Sequence, residues 1–276
     1  LYVCATPIGN LADITLRTLE VLSRVDRVVG EDSRRTRQLL SHYEIHTPFA
    51  PSVYEGADEK RVDQLVGLLK GGEDIALVSD AGTPLISDPG YPLVRACVQR
   101  GIPVVPIPGP SSLLTALTAS GLPIDRFLFL GSLPRKRGPR EKALQDLDGL
   151  DYTAVVFVSP HRVEETLHVL AELYPHRPMC LARELTKVHE EFLRGTCQQV
   201  WETVRTREGL RGEIVLVIGP DERPVEKQPE HVVPLYQGFL KQGLSPSEAV
   251  RRAAQATGLS RRDAYDIVHR SKRSQA

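Results

Sequence analysis

Ile75-Ala76-Leu77-Val78, followed by Ser79-Asp80-Ala81-Gly82-Thr83-Pro84-Leu85-Ile86-Ser87-Asp88-Pro89-Gly90, is the stretch on which the fold turns. A bounded run of four apolar residues reads as a buried strand. It breaks into a long loop rich in Gly, Pro, Ser and Asp. Gly lets a backbone approach a ligand, Pro fixes loop shape, and short polar side chains offer hydrogen bonds. Two other β-prone runs end alike. Leu1 to Ala5 gives way to Thr6-Pro7-Ile8-Gly9-Asn10, and Pro103 to Ile107 to Pro108-Gly109-Pro110-Ser111-Ser112. In an open α/β sheet, ligands bind outside the carboxyl ends of the strands. Three such loops at successive strand ends point to a binding site. No G-x-G-x-x-G follows the first strand and no G-x-x-x-x-G-K-[ST] occurs, which disfavours the ordinary dinucleotide and P-loop mechanisms.

Outward from these loops, strands alternate with helical patterns. Helical spacing covers Leu16 to Ser23, Arg34 to His42, Asp58 to Lys70 and Ser112 to Ser120, with a further strand at Arg27 to Gly30. The pattern restarts beyond Gly121 to Asp125. Strands are expected at Arg126 to Leu130, Thr153 to Val158, Met179 to Arg183, Glu190 to Leu193 and Glu213 to Ile218. Helices are expected at His161 to Tyr174 and up to Val204, with a basic loop at Pro134 to Arg140. This predicts an α/β protein: two α/β domains, residues 1–121 and 122–220, with mostly parallel or mixed sheets. A third piece, 231–276, reads as helices over Val232 to Gln242, Ser247 to Thr257 and Arg261 to Ser271. Ser245 and Ser260 are N-cap candidates, Gly243 and Gly258 are stops, and the last two helices resemble a helix-turn-helix.

Composition narrows the function classes. Hydrophobic residues make up 41% of the chain, enough for a core. No apolar run approaches the roughly 18 residues of a membrane helix. Leu1 to Ala5 reads as a strand and not as part of a signal peptide, and the missing initiator Met leaves room for a short N-terminal extension outside the sequence. Cys4, Cys97, Cys180 and Cys197 form no C-x-x-C pair; reduced buried cysteines of a cytoplasmic protein are expected, with no metal site. Lys and Arg total 35, as do Asp and Glu, so a broad basic surface is disfavoured. Basic residues still cluster locally, at Arg135, Lys136, Arg137, Arg140 and Lys142, and at Arg251, Arg252, Arg261, Arg262, Arg270, Lys272 and Arg273.

Three further charged groups sit at strand ends. Glu31-Asp32-Ser33-Arg34 could orient a substrate or move a proton, or could simply start a helix with Asp32 or Ser33 as its cap. Arg183-Glu184-Leu185-Thr186-Lys187 could face a cleft or form an exposed turn. In Ser159-Pro160-His161-Arg162, His161 reads as a cap or first-turn residue in preference to a general base.

In this order the motifs resemble the tetrapyrrole-methylase (class III) superfamily, and within it the bacterial 16S rRNA cytidine ribose 2′-O-methyltransferases. The matching runs are Ala5 to Leu11, Glu31 to Arg34, Ser79 to Gly90, Pro108 to Ser112, Ser159 to Arg162, Arg183 to Lys187 and Gly212 to Val215. They cover the chain to about Ile218, and the Ser79–Gly90 run is the most diagnostic. Val158, Ser33 and His189 depart from the usual residues. The resemblance implies S-adenosylmethionine held between two α/β domains by Pro7, Asp80, Ala81, Gly82, Ser87, Asp88, Ser111, Ser112, Phe157, Leu185, Glu213, Ile214 and Val215. It also implies a homodimer acting in the cytoplasm on 16S rRNA or the 30S subunit. Glu31, Asp32, Arg34 and Lys187 are the expected catalytic, substrate-side residues. Arg135, Lys136, Arg137, Arg140, Arg261 and Arg262 are the expected RNA contacts. The same fold acting on a tetrapyrrole or a protein side chain, and a non-enzymatic nucleic-acid-binding regulator, are the competing readings.

Overall fold

Nearly every β-prone run quoted above becomes a strand bounded by turn residues, and those at the centre of their sheets, Ile75–Val78, Thr153–Val158 and Ile214–Ile218, are buried nearly throughout. The computed structural model describes residues 1–51, 59–207, 209–221, 229–259 and 261–273. In chain order the elements are β1 (Tyr2–Cys4), α1 (Leu16–Arg24), β2 (Arg27–Val29), α2 (Ser33–His42), α3 (Glu59–Lys70), β3 (Ile75–Val78), α4 (Tyr91–Gln99), β4 (Val105–Ile107), α5 (Ser112–Ser120), β5 (Phe127–Ser132) and α6 (Arg137–Gln145). There follow β6 (Thr153–Val158), α7 (Val163–Leu173), β7 (Pro178–Arg183), β8 (Glu191–Thr196), α8 (Cys197–Arg205), β9 (Ile214–Ile218), α9 (Val232–Lys241), α10 (Pro246–Ala256) and α11 (Arg261–Arg273). Asp58, Ser260 and the side chains of Lys272 and Arg273 lie outside the described residues.

The first sheet has the order β2-β3-β1-β4 and is parallel throughout. Successive side chains of a strand point to opposite faces. In β3, Ile75 and Leu77 join the core under α3 and α4, while Ala76 and Val78 join the core under α1 and α2. All three Gly/Pro/Ser loops therefore emerge at one edge of this sheet.

The second sheet, β5-β6-β9-β7-β8, is mixed. Strands β5 and β6 are parallel, whereas β9 runs antiparallel between β6 and β7, and β8 is antiparallel to β7. One face packs Val156, Leu181 and Leu216 against Leu167, Leu170 and Val200 of α7 and α8. The other packs Val155, Ala182 and Val217 against Ile8 and against Leu113, Ala116 and Leu117 of α5. Helix α5 thus belongs to the first half in sequence and covers the second sheet in space. Both sheets lie in one compact unit, Leu1–Asp221, and Glu222–Ala276 is a second.

Two elements depart from the expectations. The segment expected as a basic loop is helical from Arg137 onward. Gly138 and Pro139 fall in its first turn, where a missing N–H costs nothing because that donor has no intrahelical partner. Helix α4 was not anticipated; Gly90 precedes it with φ +119° and Pro92 sits in its first turn. The second unit is built on its own core, in which Val232, Tyr236, Val250, Ala253, Ala264 and Val268 of α9, α10 and α11 are buried together. Ser245 caps α10, accepting from the Glu248 N–H at 3.3 Å.

All four cysteines are buried and unpaired, and burial pushes the thiols of Cys4 and Cys197 up to about 12. Among the described residues no helix is long and apolar enough to cross a membrane, and no cluster of His, Cys, Asp or Glu could hold a metal ion.

Candidate active site

The loops after β1, β3 and β4 are tied to one another before any ligand is considered. Thr6 and Gly82 exchange backbone hydrogen bonds at 2.9 and 3.0 Å. The Thr6 hydroxyl donates to the Ser79 carbonyl at 3.1 Å, the Ser79 hydroxyl to the Gly82 carbonyl at 2.8 Å, and the Thr83 hydroxyl to the Pro110 carbonyl at 3.0 Å. Within this frame Gly82 has φ +82°, and Leu85 and Ser87 hold φ +75° and +67°. Side-chain-bearing residues in the left-handed region store strain that the surroundings must impose, and such residues gather at binding sites.

The opposite wall comes from the second sheet: the ends of β5, β6 and β7 and the start of β9. Here too the backbone is forced, with φ +51° at Glu184 and +65° at Thr186. Glu184 is the knot. Its carboxylate accepts from the Lys187 ammonium at 2.9 Å and from the Glu213 N–H at 2.9 Å, while its own N–H donates to the Glu213 carbonyl at 3.0 Å. These bonds, led by Lys187, hold the Glu184 carboxyl below the usual carboxylate range. Lys187 also reaches Glu213 at 3.1 Å. Gly9 seats the first-sheet loop against this knot; a Cβ there would stand 2.4 Å from Lys187 Cγ and 2.8 Å from the Leu185 carbonyl.

Between the walls lies a cleft of about 520 Å³, of the size that takes a small-molecule ligand. From the β3 loop it is lined by Asp80, Ala81, Gly82, Ser87 and Asp88, and from the β4 loop by Ser111 and Ser112. The second sheet contributes Phe157, Leu185, Glu213, Ile214 and Val215. Pro7 is not in this lining. It opens on an adjoining groove of about 420 Å³, which shares Ile8, Arg35, Asp80, Ala81 and Glu213 with the cleft.

Of the expected substrate-side residues, only Glu31 lines the cleft. Asp32 is the N-cap of α2: its carboxylate accepts from the Arg34 N–H at 2.9 Å and from the Arg34 guanidinium at 3.2 and 3.1 Å. The Arg34 fork holds the Asp32 carboxyl below its ordinary range. Lys187 lies behind Glu213. Residues the sequence reading did not assign also line the cleft, among them Ile8, Arg35, Ser132, Ser159 and Arg162, as does Arg140, which it assigned to RNA contact. Arg35 and Arg162 are each next to or inside a quoted motif. Arg140, expected on an exposed basic loop, is corrected to a buried position, 1% exposed, on the inner face of α6 beside Leu144. Arg135, Lys136 and Arg137 are exposed.

The electrostatics suit a cation on the first-sheet side. Asp88 is half-buried, and burial, with the charges of Glu31 and Asp80 nearby, raises its carboxyl to about 6. Three carboxyl groups brought together are stabilised by a positive ligand. A sulfonium with an amino-acid ammonium fits that demand. The apolar surfaces of Ile8, Phe157, Leu185 and Val215 offer a place for an aromatic base.

The same conclusion comes from related proteins. The family of Tetrapyrrole (Corrin/Porphyrin) Methylases matches residues 1–200. In three dimensions the chain is similar to a cobalamin biosynthetic enzyme, cobalt precorrin-4 methyltransferase (TM-score 0.57, 18% identity, covering 79% of this chain and 93% of that one). It is similar also to uroporphyrin-III C-methyl transferase from Thermus thermophilus complexed with S-adenyl homocysteine (TM-score 0.52, 19% identity, 79% and 96%). At such identities the likeness speaks for the fold. The chain belongs to this methylase family and is a methyltransferase whose donor is S-adenosylmethionine. Its curated relatives include "Ribosomal RNA small subunit methyltransferase I" of Halalkalibacterium halodurans, 40% identical over 98% of this chain and 94% of that protein. The proteins of that name from Synechocystis, 43% identical over 97% and 96%, and from Bacillus subtilis, 38% identical over 98% and 94%, are further examples.

Proposed function

We propose that the chain methylates the ribose 2′-hydroxyl of a cytidine in the decoding region of 16S rRNA. One observation carries the choice of RNA over other acceptors: relatives about 40% identical along almost their whole length are named for the small-subunit rRNA. The family motifs quoted from the sequence support the ribose hydroxyl as the acceptor. S-adenosylmethionine supplies an activated methyl group on a sulfonium, so the protein's task is binding, orientation and electrostatics.

Asp80 and Asp88 face the positive charge, and Phe157, Leu185 and Val215 pack the adenosine. Glu31, with access to the cleft, orients the hydroxyl and accepts its proton as oxygen attacks carbon in line. Well-oriented reactions gain roughly 7–11 kcal/mol from such alignment. Asp32 contributes by holding Asp80 from behind, Arg34 by fixing Asp32, and Lys187 by fixing Glu213. Arg135, Lys136, Arg137, Arg261 and Arg262 contact phosphates. The active form is a cytoplasmic homodimer, a reading favoured by apolar side chains left exposed, such as Leu16 and Leu114; analytical ultracentrifugation tests it. The decisive experiment maps ribose methylation of 16S rRNA by mass spectrometry in cells with and without the protein. A cytidine 2′-O-methyl that disappears with the protein supports the assignment, and an unchanged map overturns it.

A further inference from the structure

The first-sheet wall of the cleft sets Glu31, Asp80 and Asp88 against Arg35, whereas the second-sheet wall sets Arg140 and Arg162 against Glu213. Arg140 from α6 and Arg162 from the turn before α7 both line it, together with the hydroxyl side chains Ser132 and Ser159. Arg140 is an unusual residue to find there. It is 1% exposed, and neither its Nε nor its Nη2 makes a hydrogen bond of sound geometry. Nη2 is in ionic contact with Glu165, a carboxylate that is itself half exposed, and Nη1 reaches the Arg135 carbonyl at 3.5 Å. Burying a guanidinium costs several kcal/mol unless its donors are met. Here one buried donor, Nε, is unmet and a second, Nη2, is only partly compensated. Arg162, half-buried, makes no ion pair with any described residue. The backbone N–H groups of the first turn of α7 follow it, with Glu164 and Glu165 exposed in that turn.

We propose that Arg140 and Arg162, with Ser132 and Ser159, form an oxyanion subsite that holds a phosphate of the acceptor RNA next to the reacting ribose. This rests on the rRNA reading above and specifies how that substrate is held. A carboxylate on the donor is the other oxyanion that could reach the cleft. A polyanion is favoured because the cations continue outward. Arg135, Lys136 and Arg137 are exposed immediately before Arg140 in the chain, and Arg140 bonds back to Arg135. Arg137 pairs with Glu141 at 2.7 Å, and Arg135 and Lys136, exposed a few residues before the buried Arg140, suit a strand bearing a phosphate at every residue. A single carboxylate would need only the buried end. Guanidinium forks are well matched to phosphate oxygens.

The test uses Arg162→Gln, which removes a cation without breaking an internal ion pair, alongside Arg140→Gln and Arg140→Lys. Three quantities are read: KM and kcat for unmethylated 30S subunits over a range of salt, the Kd for S-adenosylhomocysteine, and the thermal shift produced by inorganic phosphate. The expected result for Arg162→Gln is a KM raised about tenfold with kcat and Kd nearly unchanged. The slope of log KM against log salt should be shallower by about 0.7, the value for one phosphate contact on a single strand. The phosphate-induced shift of the wild type should disappear. A weakened S-adenosylhomocysteine affinity with unaltered KM would assign the pair to the donor carboxylate and overturn the proposal; so would no change in any readout. Should the wild type leave 30S subunits unmethylated, the rRNA reading fails, and a phosphate shift abolished by Arg162→Gln would still support the oxyanion site.

Discussion

The backbone N–H of Asp32 donates to the Asp80 carboxylate at 3.0 Å, joining the start of α2 to the loop after β3. Asp80 also lies 3.6 Å from the Arg35 guanidinium. Its carboxylate is therefore aimed before the donor arrives, and Asp32 serves the site through its backbone while its side chain caps the helix. Asp80→Ala is expected to weaken S-adenosylhomocysteine binding by about tenfold or more, since a charge-assisted contact to an already oriented group is lost. Isothermal calorimetry measures this directly. Asp32→Ala removes the cap but leaves the N–H, so it should lower thermal stability slightly and change donor affinity little.

Glu31 separates from Asp32 in the same experiment. General-base assistance contributes typically about 10²–10⁴-fold. Glu31→Gln should lower kcat by about 10²-fold or more while S-adenosylhomocysteine affinity stays near the wild-type value. Single-turnover methyl transfer to 30S subunits reads the effect without interference from product release. A Glu31→Gln enzyme with full turnover would remove Glu31 from the chemistry.

Asp88 gives the cleft a pH dependence with a defined sign. Its carboxyl, raised to about 6 in the folded protein, has an ordinary value of 3.8. The folded state therefore binds its proton more tightly than the unfolded chain. The associated stability is present below the unfolded value and is lost as pH rises through about 6. Donor binding runs the other way, because the cation needs the ionised form. At pH 5, one unit below the folded value, about a tenth of Asp88 is ionised, so the Kd should rise about tenfold relative to pH 7. Asp88→Asn should flatten this profile and weaken binding at pH 8. A wild-type Kd constant from pH 5 to pH 8 would show that Asp88 does not face the positive charge.

Gly212 tests the knot on the opposite wall. It holds φ +91°, and a Cβ there would stand 2.2 Å from Glu184 Oε1. Gly212→Ala must both strain the backbone and displace the carboxylate that positions Glu213. A loss of about 2–4 kcal/mol in a denaturant titration is expected, together with weaker donor binding. Gly209 is the control: φ is +70° but nothing lies within 4 Å of its Cβ position. Gly209→Ala should cost only the left-handed strain, about 1–2 kcal/mol, and leave the donor affinity intact.

How far the sequence announced this site follows from which interactions are local. The Ser79–Gly90 loop was legible because its Gly, Pro and Asp residues follow a buried strand directly, and the parallel first sheet follows from strands alternating with helices. The place of β9 between β6 and β7 was not, since Leu216 meets Val156 and Leu181 across 60 and 35 residues and no periodicity encodes that pairing. Arg140 was misplaced for a local reason. Gly138 and Pro139 read as loop punctuation, yet in a first helical turn they break no bond, and the helix then carries Arg140 and Leu144 inward one turn apart. Glu31 and Asp32 illustrate a third limit. Both carboxylates stand at the same strand end, and only three-dimensional placement distinguishes the one that lines the cleft from the one that caps the helix.

The C-terminal unit carries the last prediction. The chain as a whole is neutral, so RNA affinity must come from local charge. Helix α11 exposes Arg261, Arg262 and Arg270 along with Tyr265, whose ring lies 4.2 Å from that of His269. Arginine beside an exposed aromatic pair suits a phosphate backbone with an unstacked base. This unit has its own buried core, so removing it leaves the cleft residues of Leu1–Asp221 in place. Deleting residues 231–276 should therefore weaken binding to 16S rRNA or the 30S subunit while S-adenosylhomocysteine binds as before. Arg261→Glu combined with Arg262→Glu in the full chain should reproduce the loss, and its binding should depend less steeply on salt, because two phosphate contacts no longer release counterions. Filter binding across a salt series measures both. Equal RNA affinity with and without residues 231–276 would place recognition entirely on the first unit, at Arg135, Lys136 and Arg137.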